Sequence, residues 1–209
     1  MKKYKYVLLP LVLLAFIVLS TGCTKEKKEE KGKTATITSS SLSYFKLNLN
    51  VPLNDEGEAK YEFTSNKPTG FTRSGTVYLE TDNAIFAFGT SSWVYQTATK
   101  YKEKNGTKDP SYADYMEWMK DPDSTIKLSG METMSINGRD ALRYYAREGG
   151  SGDYNYYGYN YQVSLEDITP KSRLEMIVYY KDEELPKEAK EFDEETLKII
   201  NSLKLEANK

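Results

Sequence analysis

METMSINGRDALRYYAREGGSGDYNYYGYNYQVSLEDITPKSRLEMIVYY, residues 131–180, is the stretch that decides the fold. Asn137-Gly138 lies between two strand-like runs, 131–136 and 140–147. A two-residue type I′ turn needs positive φ at both central positions, and Asn followed by Gly adopts that geometry at low cost, so the pair predicts a hairpin. Gly149-Gly150-Ser151-Gly152-Asp153 reads as a flexible connection into a third strand at 154–166. Residues 167–171, with Pro170, turn the chain into a fourth at 174–180. Four such runs in succession predict an antiparallel meander.

Working outward, Phe45, Leu47, Leu49 and Val51 alternate with Lys46, Asn48 and Asn50, the period of a strand with one buried face, and Pro52 stops it. Tyr61-Glu62-Phe63 reads as a shorter strand, and 76–80 and 84–88 as two more around the turn Thr81-Asp82-Asn83. Trp93-Val94-Tyr95 fits either a strand or a short helix. Asp109-Pro110-Ser111 is a helix start, followed by Tyr112, Tyr115, Met116 and Met119 at i, i+3, i+4 and i+7. That stripe is read as core packing, and the helix is expected to end near Asp121-Pro122. A last helix is expected from Pro186, with acidic residues 188–195 toward its positive end and Leu197, Ile200 and Leu203 buried, Phe192 packing one turn earlier. The fold class that follows is α+β, an antiparallel β-sheet flanked by helices.

At the other end of the chain, Lys2, Lys3 and Lys5 precede a 13-residue apolar run, 7–19, and then Ser20-Thr21-Gly22-Cys23. Thirteen residues are too few to cross about 30 Å of hydrocarbon as a helix, so the segment reads as a secretory signal. Small residues before the chain's sole cysteine match a bacterial lipobox. Leu19, however, stands four positions before the cysteine, where three is the familiar spacing. The expectation is a signal peptide at 1–22, a diacylglyceryl-modified Cys23, a flexible linker at 23–43 and one α+β domain at 44–205. The rival is an ordinary cleaved signal that leaves a free thiol, unusual in an oxidising compartment. Lipidation places the protein at the cell membrane, on its extracytoplasmic face. The linker reading rests on mixed charges at 25–31 and a Ser/Thr-rich run at 34–43 whose apolar residues are Ala35, Ile37 and Leu42.

Losing three of 29 basic residues with the signal leaves 26 against 31 acidic ones. A net charge near −5 argues against nucleic acid and anionic headgroups as partners. The chain has no histidine, which removes the usual neutral-pH base, the commonest zinc ligand and His-dependent nucleophiles. With Cys23 acylated, carboxylates, Ser/Lys pairs, Tyr or a hard cation remain, and no cofactor is expected.

The chemical motifs are weak. Asp121-Pro122-Asp123-Ser124-Thr125 matches the Asp-x-Asp-x-Thr of haloacid-dehalogenase-type phosphatases, but that chemistry needs a preceding buried parallel strand, and 115–120 reads as helix. The same aspartates lack the ligand ladder and central glycine of an EF-hand. Ser43-x-x-Lys46 and Ser124-x-x-Lys127 match a penicillin-recognising spacing without its companion motifs, and Asn105-Gly106-Thr107 is a glycosylation acceptor of no use to a bacterial lipoprotein. Between Tyr154 and Tyr161 tyrosines recur: Tyr157, Tyr159 and Tyr161 on one strand face, Tyr154 and Tyr156 on the other. Exposed, these five form a candidate binding surface for a glycan or an envelope protein; packed, they are cross-strand core.

Three segments resemble the PsbP/DcrB superfamily: Tyr44-Phe45-Lys46-Leu47-Asn48-Leu49-Asn50-Val51-Pro52, Ile136-Asn137-Gly138-Arg139-Asp140-Ala141-Leu142-Arg143, and Ile199-Ile200-Asn201-Ser202-Leu203-Lys204. The resemblance implies a PsbP-like α/β/α sandwich and a non-enzymatic adaptor or assembly role, with no functional residue carried over. The expected function is thus a membrane-anchored binding or accessory module. The alternatives are a carboxylate-dependent cell-envelope hydrolase using Asp121 and Asp123, and a solute-binding subunit, which usually needs two lobes.

Overall fold

In the computed structural model the described residues are 34–42, 44–69, 71, 77–92, 103, 106, 111–120, 128–148, 156–181 and 190–208. Residues 1–22, expected as a signal peptide, and Cys23, Trp93-Val94-Tyr95, Asp121, Asp123, Ser43, Ser124, Lys127, Tyr154 and Pro186 lie outside them.

The strands are β1 (Thr34–Ser39), β2 (Phe45–Pro52), β3 (Phe63–Thr64), β4 (Val77–Glu80), β5 (Ala84–Ser92), β6 (Glu132–Ile136), β7 (Arg139–Glu148), β8 (Tyr156–Ser164), β9 (Ser172–Tyr180) and β10 (Lys204–Ala207). Helix α1 is Tyr112–Lys120 and α2 is Glu194–Asn201. A seven-stranded sheet runs β3-β4-β5-β9-β8-β7-β6, and a three-stranded sheet runs β1-β2-β10; every pairing is antiparallel. The expected meander is present as β6 to β9, side by side in chain order. Its first turn has φ of 48° at Asn137 and 80° at Gly138, the pair of positive values that a type I′ turn requires. The molecule is α+β, dominated by antiparallel sheet.

Strand alternation sends the two faces of the large sheet to different layers. One face (Val77, Leu79, Phe86, Phe88, Ala141, Tyr159, Tyr161, Val163, Leu174, Met176, Val178 and Tyr180) shares the main core with Phe45, Leu47, Leu49 and Val51 of β2 and with Ile199 and Ile200 of α2. The opposite face meets α1 around Leu142 at one end. At its other end Phe71 sits edge-on to Tyr78 and Tyr179.

Three expectations need correction. Thr34–Ser39, expected within the flexible linker, is strand β1, paired along its whole length with β2 from Thr34↔Pro52 to Ser39↔Leu47. Ile37 packs on the main core and Ser39 is buried, while Thr36 and Thr38 donate from their hydroxyls to Asn50 and Asn48 of β2 at 2.8 and 2.6 Å. The last helix is a short one from Glu194, because Asp193 caps it, accepting from Thr196 N at 2.9 Å and from Thr196 Oγ1 at 2.7 Å. Leu203, placed in the helical stripe, lies beyond it, where the chain enters β10 and continues past residue 205 to Ala207.

Candidate functional site

The tyrosine-rich strand is the first place to look. Tyr159 and Tyr161 are buried, at 5% and 1% exposure, inside the main core. Tyr157 packs partly against the same core, stacked on Tyr145 with ring centroids 6.2 Å apart. Tyr156 turns to the other face, where its hydroxyl donates to Thr69 O at 2.8 Å. An exposed tyrosine row for ligands is therefore not what β8 presents: the meander places it between β7 and β9, and layers on both faces cover it. Burial pushes the Tyr161 phenol up to about 12, opposed by Arg143, so it stays protonated at neutral pH.

The sheet does assemble a polar cluster that alternation alone leaves unmarked. Arg173 and Glu175 point to the α1 side, sharing a face with Ile177 and Tyr179. Arg173 is 7% exposed; it donates to the Tyr115 hydroxyl at 2.5 Å, to Ser91 Oγ at 2.9 Å and to Glu175 at 3.1 Å. Tyr115 donates to Gln162 Oε1 at 3.1 Å, and Tyr112 to the Gln162 carbonyl at 2.5 Å. The Tyr144 hydroxyl accepts from Asn160 and Gln162. Asn160 Oδ1 is buried with no partner among the described residues. Three of these bonds reach between α1 and the sheet, so the cluster seats a helix. Burial raises both Tyr112 and Tyr115.

Hollows of about 390–420 Å³ lie at three places among the described residues that bear on binding. One follows the β6–β7 turn, where Arg139 holds Asp167 through two bonds of 2.5 and 2.7 Å and keeps its carboxyl below the ordinary range. A second separates α1 from β6. The third is the best candidate for binding: Asn83, Tyr180, Lys190, Glu191, Phe192 and Asp193 line it. Beneath it lie core aromatics, Tyr180 at 3% and Phe192 at 5% exposure, tilted with 4.5 Å between centroids, and Tyr159 edge-on behind Phe192 at 5.8 Å. Its rim is charged. Lys190 Nζ lies 5.2 Å from the Tyr180 ring, and Glu191 takes two bonds of 3.1 Å from Arg143, whose guanidinium sits 4.4 Å from the Tyr159 ring. Glu132 completes the Arg143 ion pairs.

The carboxylates whose acidity is displaced among the described residues are Asp82, Asp167 and Asp193, and all three move down. Lys60, 2.5 Å away, lowers Asp82. At Asp193 burial pulls upward, and the main-chain and hydroxyl bonds from Thr196 outweigh it. Such groups are ionised, committed anions, the opposite of a carboxyl kept protonated for general acid work. The described residues include no group of three or more Cys, Asp or Glu able to hold a metal, and no helix long and apolar enough to cross a membrane. No protein-family model, curated protein or solved structure matches the chain.

Proposed function

We propose that this protein is a lipid-anchored, extracytoplasmic binding or accessory module, tethered to the cell membrane through Cys23 and meeting an envelope protein or glycan at the Tyr180–Phe192 groove. The carboxylates carry this reading: among the described residues each one displaced in acidity is lowered and tied to a lysine, an arginine or a helix cap, which suits a scaffold. The groove supports it with a rim of opposite charges, Lys190 beside Glu191 and Asp193, a combination suited to the hydroxyls of a sugar or the polar groups of a peptide segment. The fold is best understood as a variant of the PsbP-like α/β/α sandwich, with α1 on one side of the large sheet and the small sheet with α2 on the other.

A photo-reactive residue at Lys190 in the full chain, irradiated in intact cells, should capture an envelope protein or glycan that the same probe at Lys171 does not. Failure to capture anything, together with an envelope hydrolase activity lost in Asp121→Asn and Asp123→Asn, would establish the hydrolase instead.

A further inference from the structure

The small sheet ends in an edge to which no described strand is hydrogen-bonded. Strand β1 hydrogen-bonds only β2, so half of its peptide groups point away from any described partner. Natural sheets guard such edges with charge, proline, a bulge or brevity. The other described edges follow that rule. β10 carries exposed Lys204 and Glu206, β3 is two residues long, and β6 bears Glu132 and is reached by Lys120, which donates to Thr133 Oγ1 at 3.0 Å. β1 does not. Its six residues, Thr34-Ala35-Thr36-Ile37-Thr38-Ser39, include no charge, proline or glycine, and their register to β2 runs unbroken without a bulge. Four of the six are β-branched.

We propose that β1 pairs antiparallel with β1 of a second copy of this chain, about a twofold axis at Thr36. Residues directly opposite in an antiparallel pair point to the same face, so a self-pairing must match residues of like parity. Centring on Thr36 sets Thr34 against Thr38 of the second copy on the outer face, and Ala35 against Ile37 on the inner one. Ala35 and Ile37 are only half-buried in the single chain, and this register covers what remains exposed. Two uncharged edges also meet without repulsion, although each chain is acidic. An edge pairing alone is smaller than a stable soluble interface, so confinement matters. Cys23 and Thr34 are separated by ten residues, at most about 40 Å of chain. Lipidation, as proposed above, would keep the β1 strands of neighbouring copies in one shallow layer. That clause rests on the anchor; the edge argument does not.

The test uses the full chain in its own membranes. Thr36→Cys, treated with a mild oxidant, is expected to give a covalent dimer at least fivefold above the native chain, which carries Cys23 alone, and above Glu206→Cys on the opposite edge. Thr36 is exposed and bonds only Asn50, so the variant keeps its fold. Thr36→Lys, which sets two ammonium groups on the axis, should lower the dimer fraction in the same membranes, read by energy transfer between fluorescently tagged copies, at least fivefold without changing the melting curve. Coupling no better than Glu206→Cys, a dimer that survives Thr36→Lys, or coupling of Thr36→Cys to a different protein would each overturn the proposal. Membrane fractionation of the same samples reads the anchor separately.

Discussion

Arg173 and Tyr115 meet at 2.5 Å, and that bond joins the centre of the large sheet to helix α1. The same hydroxyl donates onward to Gln162, so one phenol links β9, β8 and the helix. Tyr115→Phe removes both interactions and leaves a buried guanidinium short of an acceptor. The expected loss is about 1–3 kcal/mol in urea unfolding. Hydrogen exchange should quicken first in α1, and unchanged protection there would contradict this role.

Two glycines on the strands that flank β9, Gly158 on β8 and Gly89 on β5, should behave oppositely. A Cβ on Gly158 would stand 1.9 Å from Val178 O and 2.8 Å from Tyr179 Cα, where backbone has no room to yield, whereas one on Gly89 meets nothing within 4 Å. Gly158→Ala should destabilise by at least about 2 kcal/mol. Gly89→Ala should be neutral or stabilise by up to about 1 kcal/mol, since alanine loses less chain entropy. Equal melting shifts for the two would refute the packing described for β8 and β9.

Asp193 sets a pH dependence. Its folded value lies below the ordinary 3.8, so its contribution is complete above that value and drains away as the pH falls through the lower, folded one. Asp193→Ala should lose about 1 kcal/mol at pH 7, and Asp193→Asn much less, because both Asp and Asn cap helices. Acid titrations of stability should be shallower as the pH falls below the ordinary 3.8 in Asp193→Asn than in the native chain. An identical acid slope would show that the cap carboxylate is not linked to folding.

Much of this architecture is legible in the residues. The Asn137-Gly138 turn, the alternation in β2 and the stripe in α1 each follow from a local period, and the structure contains all three. The misses have physical causes. Thr34, Thr36 and Thr38 alternate with Ala35, Ile37 and Ser39, but such weakly apolar residues look like a linker until β2 supplies the partner. β10 is a four-residue strand with one buried side chain, too brief for any period to mark it. The tyrosines of β8 alternate as strand residues should, yet whether a face is covered depends on distant segments, and here both faces are. The groove draws on residues near 83, 180 and 190–193, which no local pattern connects; its one sequence signal was Phe192, read as packing.

Charge at the groove offers a further check. Arg143 ties Glu191 to the sheet and lies over Tyr159. Arg143→Met keeps much of the packing and removes the tie, so stability should fall by about 1–2 kcal/mol while capture by the Lys190 probe drops severalfold. Loss of stability with capture unchanged would place the contact surface elsewhere.

Mass spectrometry of the N-terminal peptide from membrane-extracted protein bears on the anchor itself. A mature chain beginning at Cys23, with a diacylglyceryl group on its sulfur, is the expected product. A free thiol at Cys23, or a mature chain starting at another residue, would contradict the tethered module proposed for this protein.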